Sequence, residues 1–354
     1  MKAKQSRIPF RRAPIITLLL TLALTLCAAR LGAEALTITQ IDASKLLSSQ
    51  SVRLFLSVDA KPGTKAADVS ALTVEESANG VDWVPVRVRS VTNGSNVDEG
   101  ISFSLLIDNS GSMWDGLDGK PTDDPKATRI THAKSAAKDF IGELSLVDRA
   151  GSSAFKTNLK ILSPISADSS GIPNALDGIV KPSKDDAYTE LYGSVAASLK
   201  AFGETGRRKA LIILSDGEHF PFPPKNSTAT ITDDIDEAVR NGITCFVVNF
   251  ATNGDAELPR VATESGGLVF NARDSGELLG IYTAIRSNIQ NEYAIDYTAS
   301  MLAGDKRFVR VSTKGLSTER YYYAGNVLGS HASGVEAWMA LFVLIPLALY
   351  LALL

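Results

Sequence analysis

Three oxygen-bearing side chains sit at alternate positions in the stretch Ile101–Met113, ISFSLLIDNSGSM: Asp108, Ser110 and Ser112. An apolar run stops at Asp108 and passes into a short Ser/Gly loop. Alternation on a tight loop lets all three oxygens point at one spot. One carboxylate and two hydroxyls are hard donors, and such a set suits Mg²⁺, which prefers near-octahedral oxygen coordination and keeps some of its waters. Mn²⁺ and Ca²⁺ are alternatives. The pattern D-x-S-x-S is short, so its meaning depends on what the rest of the chain brings to the same place.

Two further stretches offer oxygens. Asp216 ends the apolar run KALIILSD, and Thr189 opens the helical pattern TELYGSVAASLKAF. Each residue alone has an ordinary structural reading. Ser and Thr cap helices, and Asp commonly turns the chain after a strand. Five oxygen donors from three loops at one sheet edge point instead to a metal site: Asp108, Ser110, Ser112, Thr189 and Asp216. Only two are formally charged. A cation held this way keeps its electrophilicity and an open position that a carboxylate from another molecule can fill.

The elements around these loops read as alternating strands and helices from residue 101 to residue 291. ISFSLLID, AGSSAF, KALIILSD, TCFVVNF and LVFNA are apolar strands. Between them lie amphipathic helices, one over ATRITHAKSAAKDFIGEL with apolar residues at helical spacing, and one over DDIDEAVRNG that ends at Gly242. Continuous apolar strands separated by helices predict an α/β unit, a doubly wound, mostly parallel sheet covered on both faces. Ligands of such sheets sit beyond the carboxyl ends of the strands. Residues 36–100 and 292–325 alternate apolar and polar residues and read as β. Neither set makes a full core, so the expected arrangement is one β-sandwich built from both, with the α/β unit inserted. Two separate small β-modules would leave more open strand edges.

The ends of the chain suggest its location. Lys2, Lys4, Arg7, Arg11 and Arg12 precede the apolar run Ile15–Ala29, and Ala33-Glu34-Ala35 resembles a cleavage site; residues 1–35 read as a signal peptide. After a linker at 326–336, Ala337–Leu354 is apolar throughout and long enough for a transmembrane helix. The expected product is a single-pass membrane protein with its bulk outside the cytoplasm. The net charge is −3 and no basic block occurs outside the N-terminus, so nothing suggests nucleic acid as a partner. Two cysteines, Cys27 and Cys245, without a C-x-x-C, exclude a Cys-built metal site.

Enzymatic readings lack their parts. His132 lies in a helical pattern, His331 beside the apolar tail, and His219 follows Asp216 with no G-x-S-x-G elbow. No phosphate loop or dinucleotide glycine motif occurs. The insertion Trp114–Ala127 carries Asp115, Asp118, Asp123 and Asp124 but lacks EF-hand spacing, so a solvated acidic loop is expected. Trp114 is read as an exposed partner anchor, with burial against the following helix as the alternative.

ISFSLLIDNSGSM, the TELYGSV helix start and KALIILSDGE together resemble the von Willebrand factor A family and its metal-ion-dependent adhesion site, or MIDAS. The resemblance spans roughly residues 100–291. It implies a doubly wound α/β fold, a divalent cation and a protein partner that presents an acidic side chain. It carries the ligand roles to Asp108, Ser110, Ser112, Thr189 and Asp216. The expected function is metal-dependent protein binding at the bacterial envelope, without catalysis. The alternative is an assembly component of an envelope complex, similar to membrane-anchored Bat-type proteins that act with an ATPase.

Overall fold

The computed structural model describes residues 35–59, 71–94, 98–203, 207–222, 229–250, 255–300, 305–313 and 315–324. The segments read as signal peptide (apart from Ala35), linker and transmembrane helix, Ala337–Leu354, lie outside the described residues. Among the described residues no helix is long and apolar enough to cross a membrane.

The chain opens with β1 (Ala35–Asp42), a one-turn helix α1 (Leu46–Ser49), β2 (Ser51–Asp59), β3 (Thr73–Ser77), β4 (Val84–Pro85) and β5 (Arg87–Asn93). At Val86, between β4 and β5, the chain passes from one antiparallel sheet to another. The α/β unit follows: β6 (Ile101–Asp108), α2 (Arg129–Gly142), β7 (Arg149–Phe155), β8 (Leu159–Ser166), α3 (Ile172–Asp177), α4 (Leu191–Lys200), β9 (Arg208–Ser215), α5 (Ile231–Arg240), β10 (Ile243–Asn249), α6 (Leu258–Ser265), β11 (Val269–Asn271) and α7 (Ser275–Gln290). The chain returns to β with β12 (Tyr293–Thr298), β13 (Lys306–Thr313) and β14 (Leu316–Tyr323).

The central sheet has the order β11-β10-β9-β6-β7-β8. Five strands are parallel, as expected, and β8 is antiparallel to β7. A short turn joins β7 to β8, too short for the crossover that a parallel neighbour needs. From β6 the chain runs outward to β7 and β8, then returns to the other side of β6 with β9. The order therefore reverses between β6 and β9, and ligands of open sheets bind at such a switch.

Side-chain alternation assigns each strand to two cores. Ile101, Phe103, Leu105 and Ile107 of β6 pack with Ile130, Phe140 and Tyr282 under α2 and α7. Leu106 packs with Val195, Leu211, Ile213 and Ile235 on the face covered by α4, α5 and α6. Phe103 meets Phe140 edge-on at 5.2 Å between ring centroids, an arrangement aromatic pairs favour.

Strands from the two ends of the chain pair with each other. The sheet β1-β2-β12-β5 places β12 between two N-terminal strands, and β14-β13-β3-β4 places β13 beside β3. Val52, Leu54, Val74, Tyr297, Val309 and Tyr322 share one apolar cluster. A buried ion pair ties this β region to the α/β unit. Arg208 at the start of β9 donates to both Glu292 oxygens at 2.8 and 2.9 Å, and also to Gln40 of β1. Gly242 follows α5 at φ +59°, where a Cβ would stand 2.8 Å from the Ile41 carbonyl oxygen; both the left-handed backbone and this close approach to β1 require glycine.

Candidate metal centre

β6 and β9 end side by side, so their last residues meet. Asp108 is fully buried; its Oδ1 accepts the Ser110 backbone N–H at 2.7 Å, and its Oδ2 accepts the Ser215 hydroxyl at 2.6 Å. The chain then turns into a one-turn 3₁₀ segment, Gly111–Trp114. That turn brings the Ser110 and Ser112 hydroxyls within 3.2 Å of each other, and Ser112 donates to Asp216 Oδ1 at 2.8 Å. Four of the five predicted residues therefore form one continuous cluster.

Thr189 reaches the same rim through the backbone. Gly111 N–H donates to the Ala187 carbonyl at 3.1 Å, and Thr189 and Phe220 exchange both backbone hydrogen bonds at 2.9 Å. These bonds staple the first loop to the second and the second to the third. Thr189 is 7% exposed and its hydroxyl makes no hydrogen bond among the described residues. It does not open the helix as expected. Glu190 takes the cap position, its Oε1 accepting Gly193 N–H at 3.1 Å, and α4 begins at Leu191. The bridge to Phe220 holds Thr189 extended, and Glu190 is thereby turned to the helix.

Two carboxylates share this buried place. Burial, and next the Asp216 carboxylate, hold Asp108 well above the ordinary carboxylate range, while hydrogen bonds from Ser215 and Ser110 oppose the rise. A divalent cation relieves such repulsion, and two carboxylates with three hydroxyls make a hard-oxygen donor set. The residues present fit such an ion.

Several neighbours escaped the sequence reading. Ser215 ends the apolar run before Asp216, and the β6–β9 register, with Ile107 opposite Leu214, puts it level with Asp108. Arg129 is the first helical residue of α2, and its Nη1 lies 2.5 Å from Asp216 Oδ2. Its place after the acidic insertion was the available signal, since a helix that follows a strand end starts at the sheet's carboxyl edge. Tyr188, Phe220 and Phe222 stack at 5.9 and 4.5 Å between centroids, with Phe220 63% and Phe222 51% exposed.

Trp114 departs from its expected role as an exposed anchor. It is half-buried against the α2–α7 core, and its indole N–H donates to Asn109 Oδ1 at 2.9 Å. The 3₁₀ turn points the ring inward. The acidic insertion assembles no metal cluster: among the described residues no three His, Cys, Asp or Glu side chains stand together as ligands. Asp118 accepts the Lys120 N–H and Asp124 the Lys126 N–H, as turn residues do. His219 lies at the rim, stacked on Tyr192 at 4.0 Å, and its Nδ1 accepts the Leu191 N–H.

The chain is similar in fold to several solved structures. An aerotolerance-related membrane protein from Bacteroides fragilis is 16% identical, with 54% of this chain and 98% of that one covered at a TM-score of 0.42. A von Willebrand factor type A protein from Catenulispora acidiphila is 13% identical, covering 86% and 76% at 0.45. Proximal thread matrix protein 1 from the mussel byssus, with a zinc-occupied MIDAS motif, is 15% identical, covering 60% and 48% at 0.41. No curated protein sequence matches the chain. Residues 104–284, which run from β6 into α7 and hold all five oxygen donors, match the von Willebrand factor type A domain, so the chain belongs to that family.

Proposed function

We propose that this chain is a non-enzymatic binding protein that captures a protein partner through a divalent cation, Mg²⁺ in the first place, held by Asp108, Ser110, Ser112, Thr189 and Asp216. The observation that carries this reading is the linked oxygen cluster at the β6–β9 switch, with Ser110 and Ser112 3.2 Å apart and Ser112 2.8 Å from Asp216. Bound there, the ion supplies an electrophilic coordination position for a partner's carboxylate. The residues do the rest. Backbone staples between the three loops fix the donors before any ion arrives, which spares the ordering cost of binding. The exposed Phe220 and Phe222 flank the rim and offer apolar contact to whatever chain brings the carboxylate.

Adhesion and interaction are common roles of von Willebrand factor A domains, and a divalent ion at the MIDAS is common among them. The export segment and apolar tail support display outside the cytoplasm on a membrane tether. We read the two antiparallel sheets as a sandwich that carries the α/β unit. Titration calorimetry of Mg²⁺ into wild type and Asp108→Ala tests the site: wild type binds and the variant does not. Wild type that takes up no divalent ion overturns the reading. A pull-down with and without chelator tests the partner. A stable complex that survives both chelator and Asp108→Ala favours the envelope-assembly role, with metal secondary.

A further inference from the structure

Asp216 faces two ways. Its Oδ1 accepts the Ser112 hydroxyl, on the side of the oxygen cluster, and its Oδ2 meets the Arg129 guanidinium at 2.5 Å. Both side chains are out of water: Asp216 is fully covered and Arg129 is 10% exposed. The backbone that carries the guanidinium is fixed, because the Arg129 backbone N–H donates to the Asp115 carbonyl at 3.0 Å where α2 begins. Its buried Nε has no hydrogen-bond partner among the described residues, so the ion pair with Asp216 is its main compensation for burial.

Charge at the site follows from this pair. Asp108 and Asp216 alone would neutralise a divalent ion in full. With a fixed guanidinium against Asp216, one positive charge is left over when the ion is bound. In a buried setting that surplus is weakly screened. It disfavours the ion alone and favours the ion together with an anion.

We propose that Arg129 makes this site anion-seeking: it weakens the hold on a free divalent cation and makes cation and carboxylate bind cooperatively. The proposal rests on the metal-binding reading above. Cooperativity of this kind is reciprocal, so a carboxylate tightens the metal by the same factor as the metal tightens the carboxylate.

The test uses the full chain, Mn²⁺ as probe and acetate as the carboxylate, at constant ionic strength. Mn²⁺ is titrated into wild type, Arg129→Gln and Arg129→Lys, with and without acetate. The expected result is at least tenfold tighter Mn²⁺ binding by Arg129→Gln without acetate. Acetate tightens Mn²⁺ at least threefold in wild type and in Arg129→Lys, and less in Arg129→Gln. Equal or weaker Mn²⁺ binding by folded Arg129→Gln overturns the proposal and leaves Arg129 as a positioning residue. If that variant does not fold, the wild-type acetate arm decides, and no effect of acetate overturns the proposal. If wild type binds no Mn²⁺ with or without acetate while Arg129→Gln does, the metal-binding reading of the native chain falls and the weakening by Arg129 stands. If neither binds, both fall.

Discussion

The Ser215 hydroxyl, at the last position of β9, donates to Asp108 Oδ2 at the last position of β6, 2.6 Å away. The two residues lie 107 positions apart in sequence. Parallel pairing of β6 with β9 makes them neighbours. The bond holds one Asp108 oxygen while the Ser110 N–H holds the other, so the carboxylate has a single orientation. Hydrogen bonds to charged groups contribute about 1.5–3 kcal/mol each. Ser215→Ala is therefore expected to weaken divalent-ion binding about tenfold, read by calorimetry, with little change in circular dichroism. Unchanged affinity would show that Ser215 does not orient the ligand.

Asp234 is fully buried in α5, and neither of its oxygens has a hydrogen bond among the described residues. Burial raises its carboxyl from 3.8 to about 8, with further pushes from Asp233, Glu190 and Glu237. A carboxyl whose folded pKa lies above the unfolded one binds its proton more tightly in the folded state. Its contribution to stability is complete below pH 4 and is lost as pH climbs through about 8. Asp234→Asn cannot ionise. The variant is expected to match wild type near pH 4 and to exceed it increasingly as pH climbs to 8, by about 1–3 kcal/mol or more above that. Urea melts in chelator at pH 4 and pH 9 check this, and a pH-independent difference would refute it.

Arg208 and Glu292 form a two-armed pair with side-chain exposures of 0% and 3%. Thr244 also accepts from Arg208 at 2.8 Å. The pair couples β9 and β10 to the start of the returning β strands. Breaking a buried pair from one side leaves an uncompensated charge and costs about 3–5 kcal/mol. Glu292→Gln should lower the urea midpoint by a corresponding amount. A loss under 1 kcal/mol would mean that Gln40 and Thr244 suffice for the guanidinium.

Phe220 and Phe222 are the exposed rings beside Thr189. Their truncation removes little core contact, so Phe220→Ala and Phe222→Ala should leave the thermal midpoint nearly unchanged and divalent-ion affinity within about twofold of wild type. Partner capture in a pull-down should nevertheless fall, since exposed aromatic anchors carry a large share of binding energy. Undiminished capture by the double variant would remove these rings from the interface.

Much of the α/β unit was legible in the sequence because its signals are local. The run ISFSLLID, ended by Asp108, declares a buried strand and a loop with no outside information, and DDIDEAVRNG, closed by Gly242, marks a helix that the structure places at Ile231–Arg240. Thr189 was legible as a residue but not as a conformation: helix propensity put it in the first turn, while the backbone bridge to Phe220, 31 positions away, holds it outside. The short helix Ile172–Asp177 went unseen, since six residues carry too little period.

The residue types of the candidate site, five oxygen donors in three loops, are legible in the amino-acid sequence, because donor chemistry is a property of each side chain. Strand order is not such a property. Only the folded chain decides that β9 crosses back beside β6, that Ser215 therefore holds Asp108, and that the first residue of α2 sets a guanidinium against Asp216. Trp114 makes the same point. Its type suited an exposed anchor, but the direction of one 3₁₀ turn sent the indole to Asn109 and the core. Side-chain direction and charge pairing arise from distant segments packed together, and no local pattern encodes them.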